Sequence, residues 1–236
     1  MKLSSVLTIG ATAALAAGAN AAILILDNFT GAPTSISIFA VGTSPPDYQV
    51  AAPSGVIRES SVTITAVTAG APSAILNATP IPPARLDFAT SYSANGYCTL
   101  TYGDFGDMSN PELNLDRSMF GIAGGIGLYL RDWSSDFLTP LNVKIYSGNA
   151  ANWWEYNTVL PLSIVGDLIV DGTSFVVGGG APVLTDVDSI VYKFDPPAKG
   201  DFTVGALGIP EPHEYAMMAG LGLLGFAAWR RLQKKA

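Results

Sequence analysis

The sequence predicts an all-β fold, an antiparallel β-sandwich, for the central part of this 236-residue chain. Short runs of β-branched and aromatic residues alternate there with clusters of Gly, Pro, Asn, Ser and Asp, which are typical of turns. Residues 61–67 alternate polar and apolar side chains, as a strand with one buried face requires. No apolar pattern with the 3.6-residue period of a helix extends over a helix-length stretch of the body.

Many short strands separated by turn residues favour a sandwich or a barrel over a mixed fold. Aspartate also outnumbers glutamate strongly in the body, and its short side chain suits turns better than helices. The predicted strands are residues 23–26, 35–41, 56–58, 61–67, 86–90, 97–102, 126–131, 141–146, 153–160, 162–165, 174–177, 189–194 and 201–207.

Length and charge limit the class of protein. A chain with 49% hydrophobic and 13% charged residues is long enough for one well-packed domain with terminal targeting segments. The body from Ala22 to Ile209 carries seven basic and seventeen acidic residues, a formal charge of −10. A nucleic-acid-binding protein needs a basic surface to displace counterions, so the charge excludes that class.

The chain has one cysteine, Cys98, and one histidine, His213. Neither an intramolecular disulfide nor a zinc site is therefore available, and Cys98, in a strand-like run, is predicted to be a buried inert thiol. His213 lies beyond the body, so serine or cysteine hydrolase chemistry has no histidine base there. Glu59, Glu112 and Glu155 could act in a glycosidase only if two carboxylates faced each other. We predict that the protein is not an enzyme.

The first 21 residues predict a secretory signal peptide. Lys2 precedes an apolar stretch at 6–17, and Ala19 and Ala21 form a small-x-small cleavage site before Ala22. The chain is therefore expected to be exported by the secretion machinery and to begin at Ala22 in its mature form.

The other end predicts a single transmembrane helix. Pro210, Glu211 and Pro212 precede the apolar segment 213–229, and Arg230 and Arg231 follow it. As a helix this segment would rise about 26 Å, close to the hydrocarbon thickness of about 30 Å. The basic residues behind it place that end in the cytoplasm and the body outside.

Together these features resemble the PEP-CTERM sorting tail. The resemblance implies cleavage near Pro-Glu-Pro by an exosortase and delivery from the inner membrane to the surface or exopolysaccharide matrix of Gram-negative bacteria. The chain is thus expected to consist of a signal peptide at 1–21, a β-sandwich at 22–209 and a sorting tail at 210–236.

The body resembles the jelly-roll sandwiches of carbohydrate-binding and galactose-binding-like modules. The resemblance rests on residues 26–29, 93–96, 113–116, 187–190 and 200–202. It implies a structural calcium ion that joins the first and last strands, which maps onto Asp27 and Asp201. Rival calcium ligands are the pairs Asp104 with Asp107 and Asp186 with Asp188, and the alternative for all of them is that they are solvated turn residues.

Aromatic residues at 153–156 form the candidate sugar platform. In a strand, Trp154 and Tyr156 share one face and Trp153 points to the other, so one face could be core and the other a surface. We take Trp154 and Tyr156 as the candidate platform; the alternative is that Trp153 packs inside while Trp154 and Tyr156 cover a loop. Tyr129 and Trp133 admit the same two interpretations.

These observations predict an exported surface or matrix protein with a non-catalytic structural role associated with exopolysaccharide. The alternative is a carbohydrate-binding module with an aromatic platform, and a remote alternative is a glycoside-active enzyme. A face that carries exposed aromatic side chains would favour binding over a purely structural role.

Overall fold

The computed structural model describes residues 23–31, 33–68, 70–103, 128–170, 174–182 and 187–210. Sixteen strands account for the regular secondary structure of these ranges. They are β1 (Ile23–Asp27), β2 (Thr34–Ile38), β3 (Gly42–Thr43), β4 (Asp47–Val50), β5 (Ile57–Val67), β6 (Ala74–Thr79), β7 (Arg85–Thr90), β8 (Ala94–Gly103), β9 (Leu128–Ser135), β10 (Thr139–Ser147), β11 (Asn149–Leu160), β12 (Ser163–Val170), β13 (Val176–Gly179), β14 (Ser189–Phe194), β15 (Asp201–Val204) and β16 (Ala206–Pro210).

The strands form two eight-stranded antiparallel sheets. The first has the order β1-β16-β9-β15-β7-β6-β2, with β12 paired to β9, and the second has the order β13-β11-β10-β14-β8-β5-β3, with β4 paired to β5. The predicted antiparallel β-sandwich is therefore confirmed. The predicted signal peptide and nearly all of the sorting tail lie outside the described residues.

The strand predictions failed at β6, which has few strand-favouring residues, and where the chain bends near Gly205. β6 (Ala74–Thr79) was missed because its Ala-Ile-Leu-Asn-Ala-Thr sequence has weak strand propensity, yet it pairs on both sides. The single strand predicted at 201–207 is two strands, because the chain bends at Gly205, whose N–H donates to the carbonyl of Arg131. β15 and β16 consequently pair with successive parts of β9.

The core lies between the two sheets and is rich in aromatic rings. Trp133 is 1% exposed and stacks on Phe194 and Phe202, at centroid distances of 5.6 and 4.9 Å. The burial alternative therefore holds for Trp133. Cys98 is also buried, as predicted, and its burial raises the pKa of the thiol.

A buried polar cluster lies beside this core and joins β1, β2, β5 and β8. Arg58, 2% exposed, forms an ion pair with Asp27, which is 0% exposed. The other two guanidinium nitrogens donate to Thr34 Oγ1 at 2.8 Å and Ser60 Oγ at 3.1 Å. Tyr102 donates its hydroxyl to Asp27 Oδ2 at 3.2 Å. We call Asp27, Thr34, Arg58, Ser60 and Tyr102 the Arg58 cluster.

Candidate functional site

The outer face of the second sheet carries polar and aromatic side chains at its centre. Along β10, the buried residues Leu141, Val143 and Ile145 alternate with half-buried ones that face outward. The strand register then sets these outward residues in rows with those of β11 and β14. The rows are Asn142 with Asn157 and Lys193, Lys144 with Glu155 and Val191, and Tyr146 with Trp153 and Ser189.

An open groove of about 480 Å³ lies over the first two of these rows. We call it the β10 groove. Its lining residues are Pro140, Leu141, Asn142, Lys144, Glu155, Asn157, Thr158, Lys193 and Asp195.

Hydrogen bonds order the polar side chains of the β10 groove. Asn142 Nδ2 donates to Glu155 Oε1 at 2.5 Å and to Asn157 Oδ1 at 2.7 Å. A carboxylate only accepts hydrogen bonds, so the amino group of the Asn142 amide must be the part that faces Glu155. These contacts hold three polar side chains in fixed positions before any ligand arrives.

The two lysines of the β10 groove are also held by neighbours. Lys193 Nζ lies 3.2 Å from Asp195 Oδ2 and 3.9 Å from the centroid of the Tyr97 ring. Lys144 Nζ lies 5.1 Å from the centroid of the Trp153 ring. Both contacts with rings are cation–π interactions, which position the ammonium groups beside aromatic surfaces.

Trp153, which is partly exposed, borders the groove next to Lys144, and its indole nitrogen is buried. A β-bulge in the pairing of β11 with β13 sets both Gly178 and Gly179 against it. A Cβ atom on Gly178 would lie 2.1 Å from Trp153 Nε1, and one on Gly179 would lie 2.1 Å from Cζ3. The absence of side chains at these two positions therefore lets the indole pack directly on the backbone of β13, with the Tyr146 ring 6.1 Å away.

The predicted platform residues lie on the opposite face of β11. Trp154 is 9% exposed and belongs to the core, and Tyr156 packs against the core and stacks on Phe175 at 5.3 Å. The two share one face, as predicted, but this is the inner face, and Trp153 is the aromatic residue of β11 on the surface. The glycine run at 178–180 was the one sequence signal for this, since glycines can receive a flat ring.

The two aspartates assigned to calcium are not brought together. Both can be placed along β9. Asp27 pairs with Leu207, which in turn pairs with Leu130 of β9. Asp201 precedes Phe202, which pairs with Ser135 of β9, so Asp201 lies one residue beyond Ser135. At about 3.3 Å per residue along β9, this separates them by roughly 20 Å. Asp27 is instead the counterion of Arg58.

Asp201 lies in a second groove, of about 350 Å³, on the outer face of the first sheet. Burial, followed by the charge of the neighbouring Asp136, raises the pKa of Asp201. The aromatic rings in the lining, Phe88 and Phe202, are each 1% exposed, so they offer almost no surface to a ligand.

Among the residues that the structure describes, no group of three or more histidine, cysteine, aspartate or glutamate side chains is arranged to hold a metal ion. The rival calcium ligands Asp104, Asp107 and Asp186 lie outside those residues, so calcium binding remains a prediction. Within the described ranges, no helix has the length and hydropathy needed to cross a bilayer. The helix predicted at 213–229 also lies outside them.

No protein-family model matches the sequence, and no curated protein matches it. Among solved structures, the chain is similar to a family 11 carbohydrate-binding module from Clostridium thermocellum in complex with a β-1,3-1,4-mixed-linked tetrasaccharide. The identity is 18%, the match covers 80% of this chain and 95% of the module, and the TM-score is 0.42.

A second similar structure is the family 11 module of the cellulosomal cellulase Lic26A-Cel5E of the same organism, at 17% identity, 82% and 97% coverage and a TM-score of 0.43. A third is a putative sugar binding protein from Bacteroides thetaiotaomicron, at 12% identity, 64% and 82% coverage and a TM-score of 0.33. With TM-scores below 0.5, these likenesses do not assign a function.

Proposed function

We propose that this chain is a carbohydrate-binding module that holds polysaccharide in the β10 groove. The observation that carries the proposal is the partly exposed Trp153, packed on Gly178 and Gly179 beside a row of ordered polar side chains. An aromatic face packs against the apolar face of a sugar ring, and amide, carboxylate and ammonium groups bind its hydroxyls. Both kinds of group are needed, and here they are adjacent.

This geometry favours the binding alternative over the purely structural role. A structural sandwich needs only a packed core and a soluble surface, and neither requires a ring fixed on a glycine pair. We propose that the domain has jelly-roll connectivity, with which the two-sheet arrangement is compatible. We propose no catalytic activity for it.

The test is affinity electrophoresis of the protein in gels that contain soluble polysaccharides, followed by titration calorimetry with any polymer that retards it. Trp153→Ala should weaken binding roughly 5- to 30-fold, as expected for an interface aromatic worth about 1–2 kcal/mol. The matched control is Phe39→Ala, which removes a ring that is 68% exposed between β2 and β3, towards the far edge of the second sheet.

Phe39→Ala should leave binding unchanged. If no polysaccharide retards the wild-type protein, or if Trp153→Ala binds as well as wild type, the β10 groove is not a carbohydrate site. Circular dichroism of both variants checks that they are folded.

We also propose that the domain is exported and then sorted by an exosortase through its C-terminal tail. The support is the sequence pattern around Pro210, Glu211, Pro212, Arg230 and Arg231. The register adds that Pro210 lies opposite Ile23, so both ends of the body leave from one sheet edge. The measurement is the intact mass of the protein from cells with and without the exosortase: cleavage near Pro210 only in its presence supports sorting, and an uncut tail in both strains overturns it.

A further inference from the structure

The charged groups of the β10 groove balance each other. Two lysines, Lys144 and Lys193, face two acids, Glu155 and Asp195. Lys193 forms an ion pair with Asp195 at 3.2 Å, and Lys144 lies directly opposite Glu155 in the register of β10 with β11. The groove therefore has no excess of positive charge, in a body whose formal charge is −10.

This balance decides between classes of polysaccharide. Recognition of a carboxylated or sulfated polymer calls for cations in excess over acids, as at other anion-binding sites. Here Glu155 and Asp195 offset the attraction of an anionic sugar to the two lysines, and the body's formal charge of −10 repels it. Sugar hydroxyls, in contrast, each donate and accept, which suits a groove that offers ammonium and amide donors next to carboxylate acceptors.

The groove is also longer than one sugar ring. Its lining residues on β10 run from Pro140 to Lys144, a span of four residues and about 13 Å. Trp153 lies just beyond the Lys144 end of the groove, and Lys193, next to the Tyr97 ring, lies towards the other end. A ligand that contacts both Trp153 and Lys193 must therefore be an extended oligosaccharide segment.

We infer that the β10 groove takes an uncharged polysaccharide, bound lengthwise along β10 as a segment of several sugar units. This inference rests on the proposed function, because it names the ligand class of the same site. On this inference, neither a charged polymer nor a monosaccharide is the preferred ligand of the β10 groove.

The experiment compares one neutral polysaccharide that the protein binds with the carboxymethyl derivative of that same polymer, at low and high ionic strength. The derivative should bind the wild-type protein at least about tenfold more weakly at low ionic strength, and added salt should narrow the difference because it screens the repulsion. A length series of the neutral oligosaccharides should show affinity rising from monosaccharide to longer oligomers.

Charge variants separate repulsion from the bulk of the carboxymethyl group. Glu155→Gln and Asp195→Asn should each strengthen binding of the carboxymethyl derivative, and the change in affinity for the neutral polymer should be smaller. Asp167→Asn is the matched control, because it removes an acid that is 39% exposed on the first sheet and should change neither.

The outcomes distinguish the two levels of the proposal. If the anionic derivative binds the wild-type protein as tightly as the neutral polymer, or more tightly, and Trp153→Ala weakens that binding, the ligand class is wrong and carbohydrate binding stands. If monosaccharide binds as tightly as the longer oligomers, the lengthwise arrangement is wrong. If neither neutral nor charged polymers bind, both proposals fail.

Discussion

Replacing Arg58 with methionine tests how the Arg58 cluster holds its charge. The methionine side chain would keep much of the aliphatic packing but remove the guanidinium group, which is paired with Asp27 and hydrogen-bonded to Thr34 and Ser60. The Asp27 carboxylate, 0% exposed, would then lie in the interior without its counterion. Breaking a buried ion pair on one side costs about 3–5 kcal/mol.

For a domain of this size, about 2–4 °C of melting temperature is lost per kcal/mol, so Arg58→Met should lower the Tm by roughly 6–20 °C at neutral pH. The cost should depend on pH. Burial already raises the pKa of Asp27 against the opposing effect of Arg58, and removal of Arg58 raises it further. A folded-state pKa above the unfolded value means that stability is lost as pH rises, so the deficit should be largest at neutral pH and shrink as the pH falls towards about 4.

Urea unfolding followed by tryptophan fluorescence, at neutral and mildly acidic pH, measures both effects. Arg131→Met is the control, because Arg131 is 43% exposed in its pair with Asp167 and should contribute only about 0–1 kcal/mol. The double variant Arg58→Met with Asp27→Asn removes both charges and should recover part of the loss. A loss below about 1 kcal/mol, or one that is independent of pH, would refute the reasoning.

Gly178→Ala should displace the Trp153 ring and weaken polysaccharide binding. In the Trp153→Ala background, Gly178→Ala should cause no further loss of binding, and a double-mutant cycle measured by calorimetry checks this. Phe202→Ala should cost about 3–5 kcal/mol in urea unfolding, since this 1%-exposed ring fills the core; a smaller loss would mean that the site collapses. Asp136→Asn should lower the pKa of Asp201 in an NMR titration and raise the Tm at neutral pH but not below about pH 4, whereas an unchanged titration would contradict the pairing.

Local patterns in the sequence were enough for the fold class and for much of the strand content. Alternation along 61–67 and 141–146 reports which side of a strand meets an apolar environment, and β5 and β10 follow it. Burial of Cys98 followed from the habit of free cysteines to lie in the interior, and the structure confirms it. Weak strands such as β6 gave no such signal, because their pairing with neighbours on both sides stabilises them.

The sequence predicted only part of the candidate site. Alternation along β11 separated Trp153 from Trp154, but a strand does not reveal which of its faces meets the other sheet. The packing of the second sheet on the first decided that Trp154 is core and Trp153 is surface. The β-bulge at Gly178 then allowed the Trp153 ring to pack on the backbone of β13.

By itself, the sequence determined a β-sandwich with an acidic body and predicted an export signal and a sorting tail, because composition and short periodic patterns carry that information locally. Only the tertiary structure decided which residues meet across strands. It separated Asp27 from Asp201 along β9, paired Asp27 with Arg58, and aligned Asn142, Glu155 and Asn157 in one groove. Such neighbours depend on strand order and register, which are set by contacts between residues far apart in the chain.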